Sequence, residues 1–177
     1  MRLTEYVLCV LALFAICPTC ASAQKSATDK VRELGIYNLP PFERAILCTK
    51  FYEGWHGEKR HLPYIGYGHK LLPGERLTHK ISRAQGDSLL RADMRKLCQM
   101  FHRFGRDSIL LACLAYHVGP YRLLGSRKHP KSRLKRKLER GDRNIYKEYV
   151  SFRKWKGRVI PSIERRRRVE FALLFEP

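Results

Sequence analysis

Glu53-Gly54-Trp55-His56-Gly57-Glu58, continued at Tyr64-Ile65-Gly66-Tyr67-Gly68-His69, is the stretch that decides the fold. Apolar periodicity from Pro41 predicts a helix that ends at about Glu53, because Gly54 is the residue type that most often terminates a helix. The glycines and prolines that follow, up to about position 80, leave room only for short strands and turns. We therefore expect a small β-hairpin or three-stranded sheet, with Glu53 at the mouth of a cleft beside it.

The predicted position of Glu53 suits acid catalysis on a sugar chain. A carboxyl at a helix end, beside tryptophan and tyrosine rings, loses water on one side, which favours its protonated form. Cleavage of a glycosidic bond needs such a proton on the leaving oxygen. Aromatic rings also offer flat apolar faces for pyranose rings. A lone Glu-Gly pair is usually a solvated turn, and it is the Gly-Tyr-Gly-His run that favours the catalytic interpretation.

Two helices are predicted directly after the hairpin. Ser82 and Gln85 form a capping-box pattern that opens a long helix to about Phe101. Asp107 is expected to cap the next helix, Ser108–Tyr116, which carries almost no charge. An apolar helix flanked by basic ones is expected to be the central helix of the core.

Three more helices are predicted toward the C-terminus. The first is short, from Leu134 to Leu138, and the second is expected to be capped by Asp142 and to include Phe152 and Trp155. The last begins at Ser162, and five of its residues repeat at helical spacing, namely Ile163, Arg166, Val169, Leu173 and Leu174. The fold class expected is α+β, mainly helical, with a small β element after the first helix.

The composition indicates one globular domain with a polyanionic partner. The chain has 177 residues, 44% of them hydrophobic, and a formal net charge of +20. Its isoelectric point is about 10.1. Nucleic acid, an anionic membrane and an acidic cell-wall polymer would all attract such a protein.

The N-terminal residues indicate which of these partners is expected. A basic start, an apolar run from Tyr6 to Ile16 and the small residues Ala21-Ser22-Ala23 predict a signal peptide over residues 1–23. We expect an exported, periplasmic or extracellular monomer that starts at Gln24, with a flexible lead over 24–39 and a catalytic domain over 40–177. Export argues against nucleic acid, and the apolar run is shorter than the ~20 residues of a stable membrane span.

The remaining cysteines and the basic clusters are interpreted structurally. Cys48, Cys98 and Cys113 fall at apolar helix positions, and their odd number argues against a disulfide framework. The histidines are scattered, so we expect no metal and no cofactor. The runs Arg133–Lys137 and Arg165–Arg168 are expected to form solvated helix faces, part of which would steer the protein to an anionic envelope polymer.

Six motifs in order resemble the phage-type lysozymes of glycoside hydrolase family 24, over about Pro41 to Leu174. They are Glu53-Gly54, Gly66-Tyr67-Gly68-His69, Ala115-Tyr116-His117-Val118-Gly119, Leu138 with Gly141-Asp142, Phe152 with Trp155, and Arg166-Arg167 with Glu170. The resemblance implies a muramidase that cuts peptidoglycan between N-acetylmuramic acid and N-acetylglucosamine. It implies a lysozyme-like fold of two lobes with the substrate between them, makes Glu53 the general acid and implies that His69 supports the hairpin. Such activity would open a wall locally, for phage lysis or for a conjugation-type apparatus.

The chain departs from the family pattern in the hairpin. The interval from Glu53 to the Gly-Tyr-Gly-His run is four residues shorter, and Leu62 falls near the position of the usual second carboxylate. Tyr64 stands where the family has threonine, and His117 stands where asparagine is common. The resemblance therefore leaves the base of an inverting hydrolase unidentified.

Several functions remain open at this point. Glu58, the one carboxylate inside the shortened hairpin, is the candidate base, and the surrounding positive charge would keep it ionised. A lytic transglycosylase would need Glu53 alone, with Tyr64, Tyr67 or His117 orienting the sugar. A binding module that has lost turnover and a basic protein that disrupts membranes are the alternatives from other classes.

Overall fold

The computed structural model describes residues 35–177, so the predicted signal peptide lies outside the described residues. The helices are α1 (Pro41–Glu53), α2 (Arg83–Met100), α3 (Ser108–Val118), α4 (Tyr121–Leu124), α5 (Arg133–Glu139), α6 (Tyr146–Val150) and α7 (Pro161–Leu174). Two antiparallel hairpins accompany them, β1 (Tyr64–Ile65) with β2 (His69–Lys70), and β3 (Lys154–Trp155) with β4 (Arg158–Val159). The mainly helical α+β class is confirmed.

The first helix and the hairpin form as expected. Pro41 occupies the start of α1, where its missing N–H costs nothing. Gly54 ends the helix with φ of 67°, and its N–H donates to the carbonyl of Lys50. In the hairpin Ile65 pairs with His69, and a single bridge between His56 and Gly66 takes the place of a third strand.

Helix α3 is the centre of the core, as its lack of charge predicts. Every residue from Leu110 to Ala115 is buried. It packs against α1, α2 and α7. Helix α2 opens with the predicted capping box, in which Ser82 Oγ accepts from the N–H of Gln85 and Gln85 accepts from the N–H of Ser82. The long helices thus surround one apolar helix that leads to the cleft.

Two predicted caps are wrong. The Asp107 side chain makes no cap, because both of its oxygens accept from Arg143. Asp142 accepts from the N–H of Asn144 in a turn, and α6 starts only at Tyr146. Helix α6 is correspondingly short and ends before Phe152.

Trp155 lies in the second hairpin and not in a helix. The turn between β3 and β4 is formed by Lys156 and Gly157, with φ of 46° and 81°. Positive φ at both central residues is the geometry of a tight hairpin turn, which glycine favours. The Lys-Gly pair therefore stops the helix that the apolar spacing predicted.

The basic run of α7 is only partly a solvated face, since Arg168 is exposed but its two neighbours toward the N-terminus are buried. Arg166 and Arg167 are 4% and 0% exposed, and Lys135 of the other run is also buried. The packed region also begins earlier than residue 40, since Ile36–Asn38 forms a 3₁₀ turn and Ile36 is buried. Within residues 35–177 no helix combines the length and apolarity needed to cross a bilayer.

The cysteines occupy the positions expected of small core residues. Cys48 and Cys113 are buried in the core, and Cys98 packs against it with part of its surface exposed. All three are free thiols.

Candidate active site

A cleft of about 770 Å³ lies between the first hairpin and the helical core. The hairpin side and the loop after it contribute His56, Tyr64, Gly68, His69, Lys70 and Leu72. Helix α2 contributes Asp93, Lys96, Leu97 and Met100, and the end of α3 with the turn after it contributes residues 115–120. Glu53, the last residue of α1, lies in this cleft. The structure therefore brings together Glu53, Tyr64, His69 and His117 of the predicted site.

The two carboxylate oxygens of Glu53 have different surroundings. Oε1 lies 2.7 Å from Nη1 of Arg166, an ion pair without an aligned hydrogen bond. Oε2 faces Gly68, where an added Cβ would lie 3.5 Å from it. Gly68 has a φ of 92°, a backbone conformation that residues other than glycine rarely adopt. The glycine thus leaves one oxygen of Glu53 open beside the hairpin.

Arg166 belongs to a buried ionic network on α7. Its Nε donates to Glu170 Oε1 at 2.7 Å, and Arg167 Nη1 lies 2.9 Å from Glu170 Oε2. The hydroxyl of Tyr149 also donates to Glu170 at 2.9 Å. Two arginines and two carboxylates share this network, so Glu53 is compensated by a cation that is itself held in place.

The spacing of charged residues along α7 is a sequence signal for this buried network. Arg166 and Glu170 are four residues apart, on the same helix face as the core residues Val169 and Leu173. Charged residues at core spacing are buried only when they are paired. The pairing of this face with Glu53 could not be inferred, because α1 and α7 lie at opposite ends of the described chain.

His117 is held by the same network from the helical side of the cleft. Arg167 Nη2 donates to its Nδ1 at 2.9 Å. Burial of the imidazole, together with the charges of Arg166 and Arg167, lowers the pKa of His117 to about 3. The residue as a whole is exposed, and it lines the cleft. His117 is therefore neutral at physiological pH.

His69 is held from the hairpin side by two carboxylates. Its Nδ1 lies 2.6 Å from Asp93 Oδ2, and its Nε2 lies 3.1 Å from Glu75 Oε2. Burial by itself lowers the pKa of His69, but the hydrogen bonds to Asp93 and Glu75 outweigh it and raise the pKa above the ordinary value. These contacts tie β2 to α2 and to the loop after the hairpin, in keeping with the supporting role that the resemblance implies.

Tyr116 joins the two sides of the cleft behind Glu53. Its hydroxyl donates to the backbone carbonyl of Tyr67 at 2.9 Å. The ring of Tyr67 packs edge-on against Trp55 and under the ammonium of Lys50. Trp55 and Tyr67 are thus packing residues outside the cleft lining, contrary to the sugar-stacking role expected of the aromatic rings and to the sugar-orienting role considered for Tyr67.

Tyr64 and His56 form the part of the hairpin that faces the cleft. Tyr64 is 44% exposed, with its ring centre 6.4 Å from that of His56. The backbone of His56 is fixed by two hydrogen bonds with Gly66. Its Nδ1 is buried without a protein partner among the described residues. Sequence reasoning missed His56, although it lies only three residues after Glu53.

Glu58 lies away from the cleft. Its side chain is 59% exposed and accepts a hydrogen bond from Arg60. Its backbone N–H donates to Nδ1 of His61, which closes a short 3₁₀ turn. The shortened hairpin therefore directs its one carboxylate to solvent, and the structure does not bring Glu58 and Glu53 together in one site.

The cleft has a second carboxylate, but it is already paired. Among the described residues that line the cleft, the carboxylates are Glu53 and Asp93. Asp93 contacts His69 through one oxygen, and its other oxygen lies 3.9 Å from Lys96. Within residues 35–177 no group of three His, Cys, Asp or Glu side chains could hold a metal ion. The arrangement offers one acid with an open oxygen, flanked by neutral and cationic groups.

Comparison with known proteins agrees with this geometry. A search of curated proteins finds no match. The family model described as phage lysozyme matches residues 50–170, a segment that contains Glu53, the three cleft histidines and the α7 network. This segment is well over half of the chain, and the protein therefore belongs to the phage lysozyme family, whose activity is glycosidic cleavage of peptidoglycan.

Proposed function

We propose that the protein is an exported muramidase that cleaves the bond between N-acetylmuramic acid and N-acetylglucosamine, with Glu53 as general acid. The observation that carries this proposal is the asymmetric setting of Glu53. One oxygen is anchored to buried Arg166 and the other faces the cleft beside Gly68. An acid whose rotamer is set by a buried partner is positioned before the substrate arrives.

Arg166 supports the later part of the reaction as well. Once Glu53 has given its proton to the leaving oxygen, a carboxylate remains 2.7 Å from the guanidinium. A fixed cation placed where negative charge develops stabilises it without reorganisation. The exposed ring of Tyr64, at the edge of the cleft, offers an apolar face for a pyranose ring.

The proposed cleavage has two forms, which differ in the group that attacks the anomeric carbon. An inverting hydrolase needs a base roughly 6.5–9.5 Å from the acid to activate water. Glu58 is directed to solvent and Asp93 is paired with His69, so neither is free for this role. The absence of a free carboxylate among the described cleft residues favours, as a second candidate, a lytic transglycosylase in which a sugar hydroxyl attacks.

The second hairpin, formed by β3 and β4, is the surface that best suits binding of an anionic partner. Trp155 is 64% exposed, Lys154 and Lys156 flank it in the sequence, and Arg158 pairs with it across the hairpin. Within the described part of the chain, the side chains of these four residues make no hydrogen bond, ion pair or ring contact. An unpaired ring beside unpaired cations suits a wall polymer that carries carboxylates. Trp155→Ala with Lys156→Glu should weaken the pull-down on peptidoglycan and reduce its sensitivity to salt, with cleavage of short muropeptides unchanged.

The activity is tested by incubating the purified protein and Glu53→Gln with peptidoglycan and identifying the released muropeptides by mass. Reducing sugar ends that vanish with Glu53→Gln are expected for the muramidase. Anhydro-muramic ends with the same dependence on Glu53 would select the transglycosylase. No release by the unaltered protein, with binding retained, would reject the enzyme and leave a binding module. Release of vesicle contents without muropeptides would instead indicate membrane disruption.

Export is tested separately from activity. The full-length chain, expressed in a bacterium, should be recovered outside the cytoplasm with an N-terminus at Gln24. Retention in the cytoplasm with Met1 intact would contradict the signal peptide, whatever the enzymatic result.

A further inference from the structure

We infer that His117 is a substrate-positioning residue, an imidazole locked in one tautomer whose Nε2–H donates to the acetamido carbonyl of the glycan. The inference rests on the proposed function, because it assumes that the cleft holds an N-acetylated sugar. It concerns a position where this chain differs from the asparagine that the family resemblance leads one to expect. His117 lines the cleft on the helical side, opposite the hairpin.

The tautomer follows from the partner of Nδ1. Arginine has only N–H donors, so the contact of 2.9 Å from Arg167 Nη2 requires Nδ1 to be the acceptor. A neutral imidazole with an accepting Nδ1 carries its hydrogen on Nε2. Arg167 is fully buried and its Nη1 lies 2.9 Å from Glu170, so the direction of this hydrogen bond is held from inside the protein.

The charged groups around His117 oppose a second proton on the ring. Arg166 and Arg167 of α7 both act on it, and a proton on Nδ1 would also have to displace the donor of Arg167. The carboxylates of the network are already committed, Glu170 to both arginines and Glu53 to Arg166. The ring therefore presents one fixed N–H to the cleft and no charge.

A fixed donor selects its ligand more narrowly than an amide side chain does. Asparagine can donate or accept, whereas this histidine can only donate through Nε2. The carbonyl of an acetamido group is a stronger neutral acceptor than the hydroxyl and ether oxygens of the sugar ring. A de-N-acetylated sugar carries an ammonium there, which can only donate and which the nearby arginines repel. We therefore assign to His117 a preference for N-acetylated over de-N-acetylated glycan.

The tautomer is measured first, without reference to activity. Long-range ¹H–¹⁵N spectra of the ¹⁵N-labelled protein, with His117→Gln for assignment, should show His117 protonated at Nε2 alone from pH 8 down to pH 5. Protonation of both nitrogens within this range, or a proton on Nδ1, would overturn the inference.

Specificity is measured with a matched pair of variants. His117→Gln keeps a donor near the position of Nε2, and His117→Leu has none. With N-acetylated peptidoglycan, His117→Leu should lose roughly 3- to 10-fold in kcat/KM, the equivalent of one neutral hydrogen bond, mainly through KM. His117→Gln should recover most of this loss. On de-N-acetylated peptidoglycan the three proteins should be nearly equal.

The two levels of failure are distinguishable. If the unaltered protein neither cleaves nor binds peptidoglycan, the proposed function fails, and the spectra still decide the tautomer. If it cleaves, and His117→Leu keeps the same kcat/KM and the same preference between the two glycans, the positioning role is rejected while the proposed function stands. A loss shared equally by both variants and both glycans would also reject it, since it would indicate a structural role alone.

Discussion

The two histidines on opposite sides of the cleft have opposite electrostatic settings. On the hairpin side, His69 lies between Asp93 and Glu75, whose hydrogen bonds raise its pKa in spite of burial. On the helical side, burial and two arginines lower the pKa of His117 to about 3. One imidazole is therefore a cation over a wider pH range than a free histidine, and the other is neutral.

This difference shows that the neighbours of a histidine decide its role. The pair formed by His69 and Asp93 joins two elements and is a structural tie. The contact between Arg167 and His117 leaves one N–H facing the cleft and suits binding. Glu53 lies between the two sides, and its partner Arg166 belongs to the helical one.

The largest expected effect is on the network of the helical side. Glu170→Gln should lower the free energy of unfolding by about 3–5 kcal/mol, because it removes the buried anion that both arginines share and leaves buried Arg167 without a carboxylate partner. The matched control is Glu164→Gln on the same helix, whose partners Arg153 and Arg168 are exposed, with an expected loss of about 0–1 kcal/mol. Urea unfolding followed by circular dichroism measures both. Equal losses in the two variants would show that burial does not make the Glu170 network more stabilising than an exposed ion pair.

On the hairpin side, Asp93→Asn should cost roughly 1.5–3 kcal/mol near pH 6, the value of a hydrogen bond to a charged group. The folded pKa of His69 is raised, so this stabilisation is complete below its unfolded pKa and is lost as pH rises through the folded pKa. The difference between the two proteins should therefore shrink toward pH 9. Lys96→Gln, which removes only a 3.9 Å exposed contact to Asp93, is the control. A loss independent of pH would contradict a charged His69.

The helical side should respond to pH in the opposite direction. Because the folded pKa of His117 is near 3 and the unfolded one near 6.5, the unfolded chain binds more protons between these values. Stability should then fall as pH drops from about 6.5 to 3. The slope should stay below the ~1.4 kcal/mol per pH unit of one full proton, because solvent in the cleft screens part of the effect. His117→Gln should flatten this acid limb in thermal unfolding at stepped pH, and an unchanged limb would assign it to other groups.

The smallest effect is expected for Glu58→Gln. The carboxylate is exposed and pairs only with Arg60, so we expect a stability change within about 0.5 kcal/mol and unchanged release of muropeptides. A fall in the rate of hydrolysis by about 100-fold or more, the effect of removing a catalytic base, would show that Glu58 acts in the active site. Muropeptide release under saturating substrate is the measurement, with Glu53→Gln as the inactive reference.

Much of this fold could be predicted from local sequence signals. Pro41 and Gly54 bound the first helix, Ser82 with Gln85 opens the second, and the apolar run after Ser108 is the core helix. Each of these signals acts over a few residues, through backbone geometry or a short side-chain hydrogen bond. The caps assigned to Asp107 and Asp142 were wrong because the aspartates had competing partners, one of them the distant Arg143.

From its own residues the chain determined the position of Glu53 at a helix end, the glycines that open the hairpin beside it, and the family to which the motifs belong. Tertiary packing alone decided that Arg166 would anchor Glu53, that Asp93 and Glu75 would raise the pKa of His69, and that Arg167 would keep His117 neutral. It also decided that Glu58 would face solvent, because the direction of a side chain in a turn depends on the register of the strands around it. Ion pairs between distant segments have no local pattern, and their strength depends on burial, which exists only in the folded protein.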